Sequence, residues 1–106
     1  MPNVVIDSVY CAETTDGFGS DQLYIKIDDV QIYGTEEIDA GDNRIINVGR
    51  SFGVKAKVSL WEYDSGSADD HIGSFWAHQS QVGEGQQAVT LTGDDSHYDV
   101  HYTVTE

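Results

Sequence analysis

Basic residues are scarce in this chain: five Lys plus Arg stand against 19 Asp plus Glu in 106 residues, a formal charge of −14. Such a field repels a phosphate backbone, so no nucleic-acid partner is expected. Cysteine is scarcer still. Cys11 is alone, which excludes an intramolecular disulfide and makes the thiol a packing group at a strand end rather than a reactive one. Pro2 is the single proline. No apolar run reaches the roughly 18 to 20 residues of a membrane span, and Met1-Pro2-Asn3 lacks the basic and apolar regions of a signal peptide. A soluble, unprocessed chain is therefore expected, and Asn3, Asn43 and Asn47 stand outside glycosylation sequons.

What is present is globular in composition: 39% hydrophobic residues outweigh 23% charged ones, so the acidity does not imply disorder. The length fits one domain, residues 1–106. Period-two alternation dominates, as where Val54, Ala56, Val58 and Leu60 interleave with Lys55, Lys57, Ser59 and Trp61. Comparable runs at about 3–10, 22–28, 30–34, 44–48, 54–62, 72–77, 86–92 and 97–104 are bounded by Gly, Asp, Asn or Ser. Two hairpins are legible, one turning at Asp28-Asp29 and one at Gly93-Asp94-Asp95. The best helical candidate, Gly34 to Arg44, is broken by Gly41 and too polar to bury a stripe. The expectation is an all-β, eight-stranded antiparallel β-sandwich.

Two acidic, glycine-bearing segments lie against these strands: Thr15-Asp16-Gly17-Phe18-Gly19-Ser20-Asp21, and Glu62 to Gly73 with Asp64, Asp69 and Asp70 inside it. A calcium ion takes about six to eight oxygens, mostly carboxylate and carbonyl, from backbone that turns sharply. Glycines 17 and 19 allow that curvature, and Glu62 and Asp64, two apart at a strand end, point to one side. An EF-hand is excluded on spacing: counted from Asp64, the third, fifth and twelfth positions are Gly66, Ala68 and Phe75. The bland alternative is an acidic surface serving solubility.

At these residues the chain resembles the C2 domain, the calcium- and phospholipid-binding module of protein kinase C and synaptotagmin. Asp16, Gly19, Ser20 and Asp21 fit that family's first loop, and Glu62-Tyr63-Asp64, five residues, Asp70-His71-Ile72-Gly73 fit its third. Glu62 stands where the family has Asp, and residues 29–53 lack its Asn-Pro-x-Trp-Asn-Glu pattern, so the second loop is not placed and the match is to a distant or minimal member. The resemblance implies a C2-like Greek-key sandwich, calcium as cofactor with ligands Asp16, Asp21, Glu62, Asp64 and Asp70, and membrane phospholipid headgroups as partner. Asp69 reads as a neighbour giving a backbone carbonyl or facing solvent.

Phe18, between two glycines at a loop tip, reads as a membrane-inserting or ligand-stacking residue, or as a side chain folded onto the loop base. Lys26, Lys55 and Lys57 share a face with Trp61 if their strands are neighbours, which makes either an anion patch or ordinary exposed lysines that resist edge pairing. His97 and His101 alternate with Asp99, but two such histidines are roughly 13 Å apart, poor for joint zinc ligation. No nucleophile has an orienting base in an ordered pattern, so no enzymatic activity is expected. Two further readings stand beside membrane binding: a calcium-dependent carbohydrate-binding module using Trp61, Trp76 and Tyr33, and an interaction protein that calcium only stabilises.

Overall fold

A computed structural model describes residues 1–15 and 19–106. Among them eight strands form: β1 (Asn3–Glu13), β2 (Asp21–Ile27), β3 (Val30–Ile38), β4 (Asn43–Ser51), β5 (Lys55–Glu62), β6 (Asp70–His78), β7 (Gln86–Leu91) and β8 (His97–Thr105). They make two four-stranded antiparallel sheets, ordered β4-β1-β8-β7 and β3-β2-β5-β6. The architecture is the expected eight-stranded sandwich.

Alternation explains the layering. Along β8 the burial is strictly period two, with Tyr98, Val100, Tyr102 and Val104 inward and His97, Asp99, His101 and Thr103 outward. Ile6, Val9, Leu23, Ile25, Ile27, Val58, Leu60 and Ile72 fill the space between the sheets at zero exposure. Cys11 joins this core near the end of β1, as its packing role requires. Val54 is a correction: its place in the alternating run suggests burial, but β5 starts one residue later and Val54 is 66% exposed. Pairing with His78 begins at Lys55, so the residue before it belongs to the connection and no longer obeys the pleat.

The first hairpin closes with Ile27 opposite Val30 and both loop residues at positive φ, 50° at Asp28 and 65° at Asp29, the signature of a type I′ turn. Asp28 earns its place, since its carboxylate accepts the Lys57 amide at 2.9 Å. Asp29 makes no such bond among the described residues, and glycine suits its backbone better. Asp29→Gly is expected to stabilise the protein by about 0.5–1 kcal/mol, read as an increase in the urea midpoint.

Candidate metal site at the loop edge

Connections meet at one end of the sandwich: the described residues 14–15 and 19–20, together with 39–42, 63–69 and 92–96. The 63–69 connection was legible as an acidic loop, whereas the placement of 39–42 beside it is decided by pairing: Ile38 lies opposite Asp21, Gly41 donates its amide to the Cys11 carbonyl at 2.7 Å, and Ser20 donates its hydroxyl to Asp39. Asp39 and Asp42 therefore add to the negative charge of this edge.

Asp21 opens β2 and is only 1% exposed. A buried carboxylate requires donors, and three converge on it. Thr15 gives its amide to Oδ2 at 3.0 Å and its hydroxyl to Oδ1 at 2.7 Å, and Tyr98, on the opposite sheet, gives its hydroxyl to Oδ2. Burial, then the bond to Asp21, pushes the Tyr98 phenol well above its ordinary range, so it stays a donor. Burial also raises the Cys11 thiol, against the opposing effect of its bond with Tyr98.

Glu62 ends β5 directly opposite Asp70, which opens β6. Burial pushes its carboxyl up to about 7, helped by contact with Asp21 and by the Asp21 and Asp70 charges. The Thr15 hydroxyl lies 3.0 Å from Glu62 Oε2 as well as 2.7 Å from Asp21. It carries one hydrogen and cannot donate to both carboxylates at once. A Glu62 carboxyl that carries its proton can instead donate to the Thr15 hydroxyl oxygen while that hydroxyl donates to Asp21, an arrangement its raised value favours.

The other acids face their own loop. Asp64 accepts the Gly66 amide at 2.9 Å and the Ser67 hydroxyl at 2.8 Å, bonds that hold its carboxyl below the usual range. Asp69 accepts the Tyr24 hydroxyl and the Asp64 amide, the latter at 3.0 Å, and is lowered in turn, chiefly by Tyr24. Burial and this bond push the Tyr24 phenol up to about 12. Asp69 thus uses its side chain to tie the loop to β2, a role the acid-rich run does not reveal.

Asp21, Glu62 and Asp70 therefore stand at neighbouring strand ends, Glu62 in contact with Asp21 and opposite Asp70, and Asp64 follows in the loop after β5. Asp16 and Phe18 lie outside the described residues. Among the described residues no three acid, histidine or cysteine side chains gather in a group that could hold a metal ion. The donor chemistry nevertheless fits a hard cation: every candidate ligand is an oxygen, and Glu62 is held at about 7 by burial and by repulsion that a divalent charge relieves. Thr15 opens the first acidic segment but carries no charge, and Tyr24 and Tyr98 stand outside both segments, so the sequence reading gave none of the three a role. For Tyr98 a signal existed, since an inward-facing tyrosine hydroxyl in an alternating strand needs a buried partner.

No known sequence family and no curated protein sequence matches the chain. Solved structures do. A structure described as that of a C2 domain superposes with a TM-score of 0.68 at 14% identity, covering 100% of this chain and 99% of the other. The fold is C2-like. A C2 domain of plant Extended Synaptotagmin 1 is similar at TM-score 0.52 and 10% identity over 98% of this chain and 92% of that one. Human GIVD cytosolic phospholipase A2, in complex with methyl gamma-linolenyl fluorophosphonate, is similar at TM-score 0.58 and 17% identity. That match covers 99% of this chain but only 17% of the phospholipase. In the C2-like frame the end of β1, the start of β2 and the connection 63–69 share one edge.

Proposed function

We propose that this C2-like domain is a calcium-binding module whose loop edge engages phospholipid headgroups when loaded. The observation that carries the reading is the carboxyl group of Glu62, held beside Asp21 and opposite Asp70 and pushed up to about 7. Like charges this close are costly without a counter-ion, and an all-oxygen set selects a hard one. Glu62, Asp64 and Asp70 would hold the ion, with Asp16 from the first loop. Asp21, whose oxygens already accept from Thr15 and Tyr98, would lend its charge from behind Glu62. Bound calcium supplies positive charge that joins the two loops and offsets their repulsion.

The phospholipid side of the reading is supported by the fold neighbours, a phospholipase and a synaptotagmin domain among them. Phe18 is proposed as the residue that touches lipid.

Calorimetric titration with calcium tests the metal reading. Wild type is expected to bind, and Asp64→Asn to bind at least about tenfold more weakly, because a charged ligand becomes a neutral one. Absence of heat with wild type, or equal heats, rejects it. Affinity is also expected to rise with pH up to about 7, since the ion competes with the proton on Glu62. Sedimentation with phosphatidylserine vesicles, with and without chelator, tests the lipid step separately. Vesicles that never bring the protein down, together with a large calcium-induced thermal shift, would leave calcium as a stabiliser of the fold.

A further inference from the structure

From His71 to Gly93 a chain that carries −14 holds no Asp, Lys or Arg and a single glutamate, Glu84. This stretch supplies β6 and β7, the outermost strands of the two sheets on one flank of the sandwich. An edge strand offers unpaired N–H and C=O groups to any other chain, and folded proteins blunt it with charge, proline, register breaks or a covering loop. Three of the four edges here are blunted. On β3, Glu36 and Glu37 are exposed and two register shifts interrupt the pairing with β2. On β4, Arg44 and Arg50 flank Asn47, which has φ of 50°, and the pairing with β1 shifts register. Along the start of β6 lies the backbone of Gly93, so close that a Cβ there would stand 2.6 and 2.4 Å from the His71 and Ile72 carbonyl oxygens. β7 has none of these devices. Gln86–Leu91 contains no charge and no proline, pairs with β8 residue by residue without a register shift, and has no strand on its other side among the described residues.

Charge and strand geometry select the occupant. Two bodies of −14 repel one another, and they approach at least cost where neither brings an acid to the contact. The carboxylates nearest β7 stand on the strands behind it. Asp99 on β8 accepts the Thr90 hydroxyl at 2.7 Å, and Asp7 on β1 accepts the Thr103 hydroxyl at 2.7 Å and the Gln86 side-chain amide at 3.1 Å. A strand added beyond β7 would lie about 10 Å from β8, a separation over which physiological salt screens exposed charge. A foreign peptide on an edge is chosen by pockets for its alternate side chains, and it loses conformational entropy as it orders. Among the described residues there is no pocket. A second copy of the chain arrives with its strand already formed. Opposite residues of an antiparallel pair share a face, so the two-fold axis passes through Ala88 or Val89, and in either register only uncharged side chains meet: exposed Gln86, Ala88 and Thr90 on the outer face, half-buried Gln87 and Val89 on the inner.

We infer that β7 pairs antiparallel with β7 of a second copy of this chain, joining two four-stranded sheets into one across a two-fold axis. The contact uses no residue of the acidic loops and needs no calcium. A single short strand pair buries less than a standard interface, so the dimer is weak and fills at high protein concentration.

Sedimentation equilibrium in excess EDTA, from about 10 µM to about 1 mM protein, tests it without reference to the metal reading. The mean mass is expected to rise from one chain toward two, and concentration-dependent amide NMR shifts are expected at residues 86–91. Raising salt from about 0.05 to about 0.5 M should tighten the dimer, because screening weakens the repulsion between acidic bodies. Ala88→Glu should weaken it at least about tenfold by setting like charges near the axis. Ala88 is exposed, and thermal unfolding verifies that the variant folds; if it does not, the wild-type shifts and salt dependence decide. The inference is overturned by a single-chain mass at about 1 mM, by growth beyond two chains, by association that salt weakens, by shifts confined to other residues, or by an Ala88→Glu variant that associates as tightly as wild type. A chain that stays single while its 86–91 amides shift on addition of the uncharged peptide acetyl-Thr-Gln-Val-Thr-Gln-Val-amide makes the edge a peptide site and also overturns it.

Discussion

Asp21→Ala is expected to destabilise the metal-free protein by about 3–5 kcal/mol, a large fraction of the roughly 5–15 kcal/mol that holds a domain together. The reason is local. Asp21 is 1% exposed and accepts the Thr15 amide, the Thr15 hydroxyl and the Tyr98 hydroxyl. Alanine leaves the Thr15 amide and the Tyr98 hydroxyl buried without this acceptor, whereas the Thr15 hydroxyl keeps Glu62 Oε2 at 3.0 Å, and each unmade bond costs about 1–3 kcal/mol. Relief of the repulsion with Glu62 offsets part of the loss. Tyr98→Phe removes one donor and keeps the ring in its packed position, so its loss should be smaller, about 1–2 kcal/mol. Urea unfolding in chelator at fixed pH measures both, and a loss below about 1 kcal/mol for Asp21→Ala would mean that the network does not brace the two sheets.

Acidity should stabilise this protein where it destabilises most. Glu62 is pushed from 4.5 up to about 7 in the folded chain, first by burial and then by Asp21. A group with a raised folded value binds its proton more tightly in the native state than in the unfolded state. Its contribution is full below about 4.5 and is lost as pH rises toward and through about 7. Because water screens this partly exposed carboxyl, the loss is on the order of 1–3 kcal/mol. Urea midpoints from pH 5 to 8 in chelator should therefore decline for wild type and decline less for Glu62→Gln. Parallel declines in the two proteins would assign the effect to other groups. Saturating calcium should flatten the wild-type curve, since the ion supplies at high pH the positive charge that the proton supplies at low pH.

Both results concern residues whose partners were only half legible. The strands, the inward face of β8 and the turn at Asp28-Asp29 follow from pleat periodicity and turn chemistry, which act over a few residues. Val54 broke the pattern because strand boundaries depend on where pairing begins, and pairing is a property of two strands. The acids of the loop edge were visible as a pattern. Their division of labour was not: Asp21 looks like Asp64 in sequence, yet one is buried against Tyr98 and the other accepts from its own exposed loop.

The two acidic segments, by themselves, determined that oxygen donors would stand at strand ends in a β-sandwich, because spacing and alternation are local matters. Only the tertiary structure decided which carboxylates touch. Thr15, Glu62 and Tyr98 are separated by tens of residues, and they converge on Asp21 because two sheets face one another across a core. The same holds for the lysines: β5 and β6 bring Lys55, Lys57 and Trp76 together, and β2 adds Lys26 to their face. Protonation energies depend on burial and on charges a few ångströms away, and neither exists until the chain has folded.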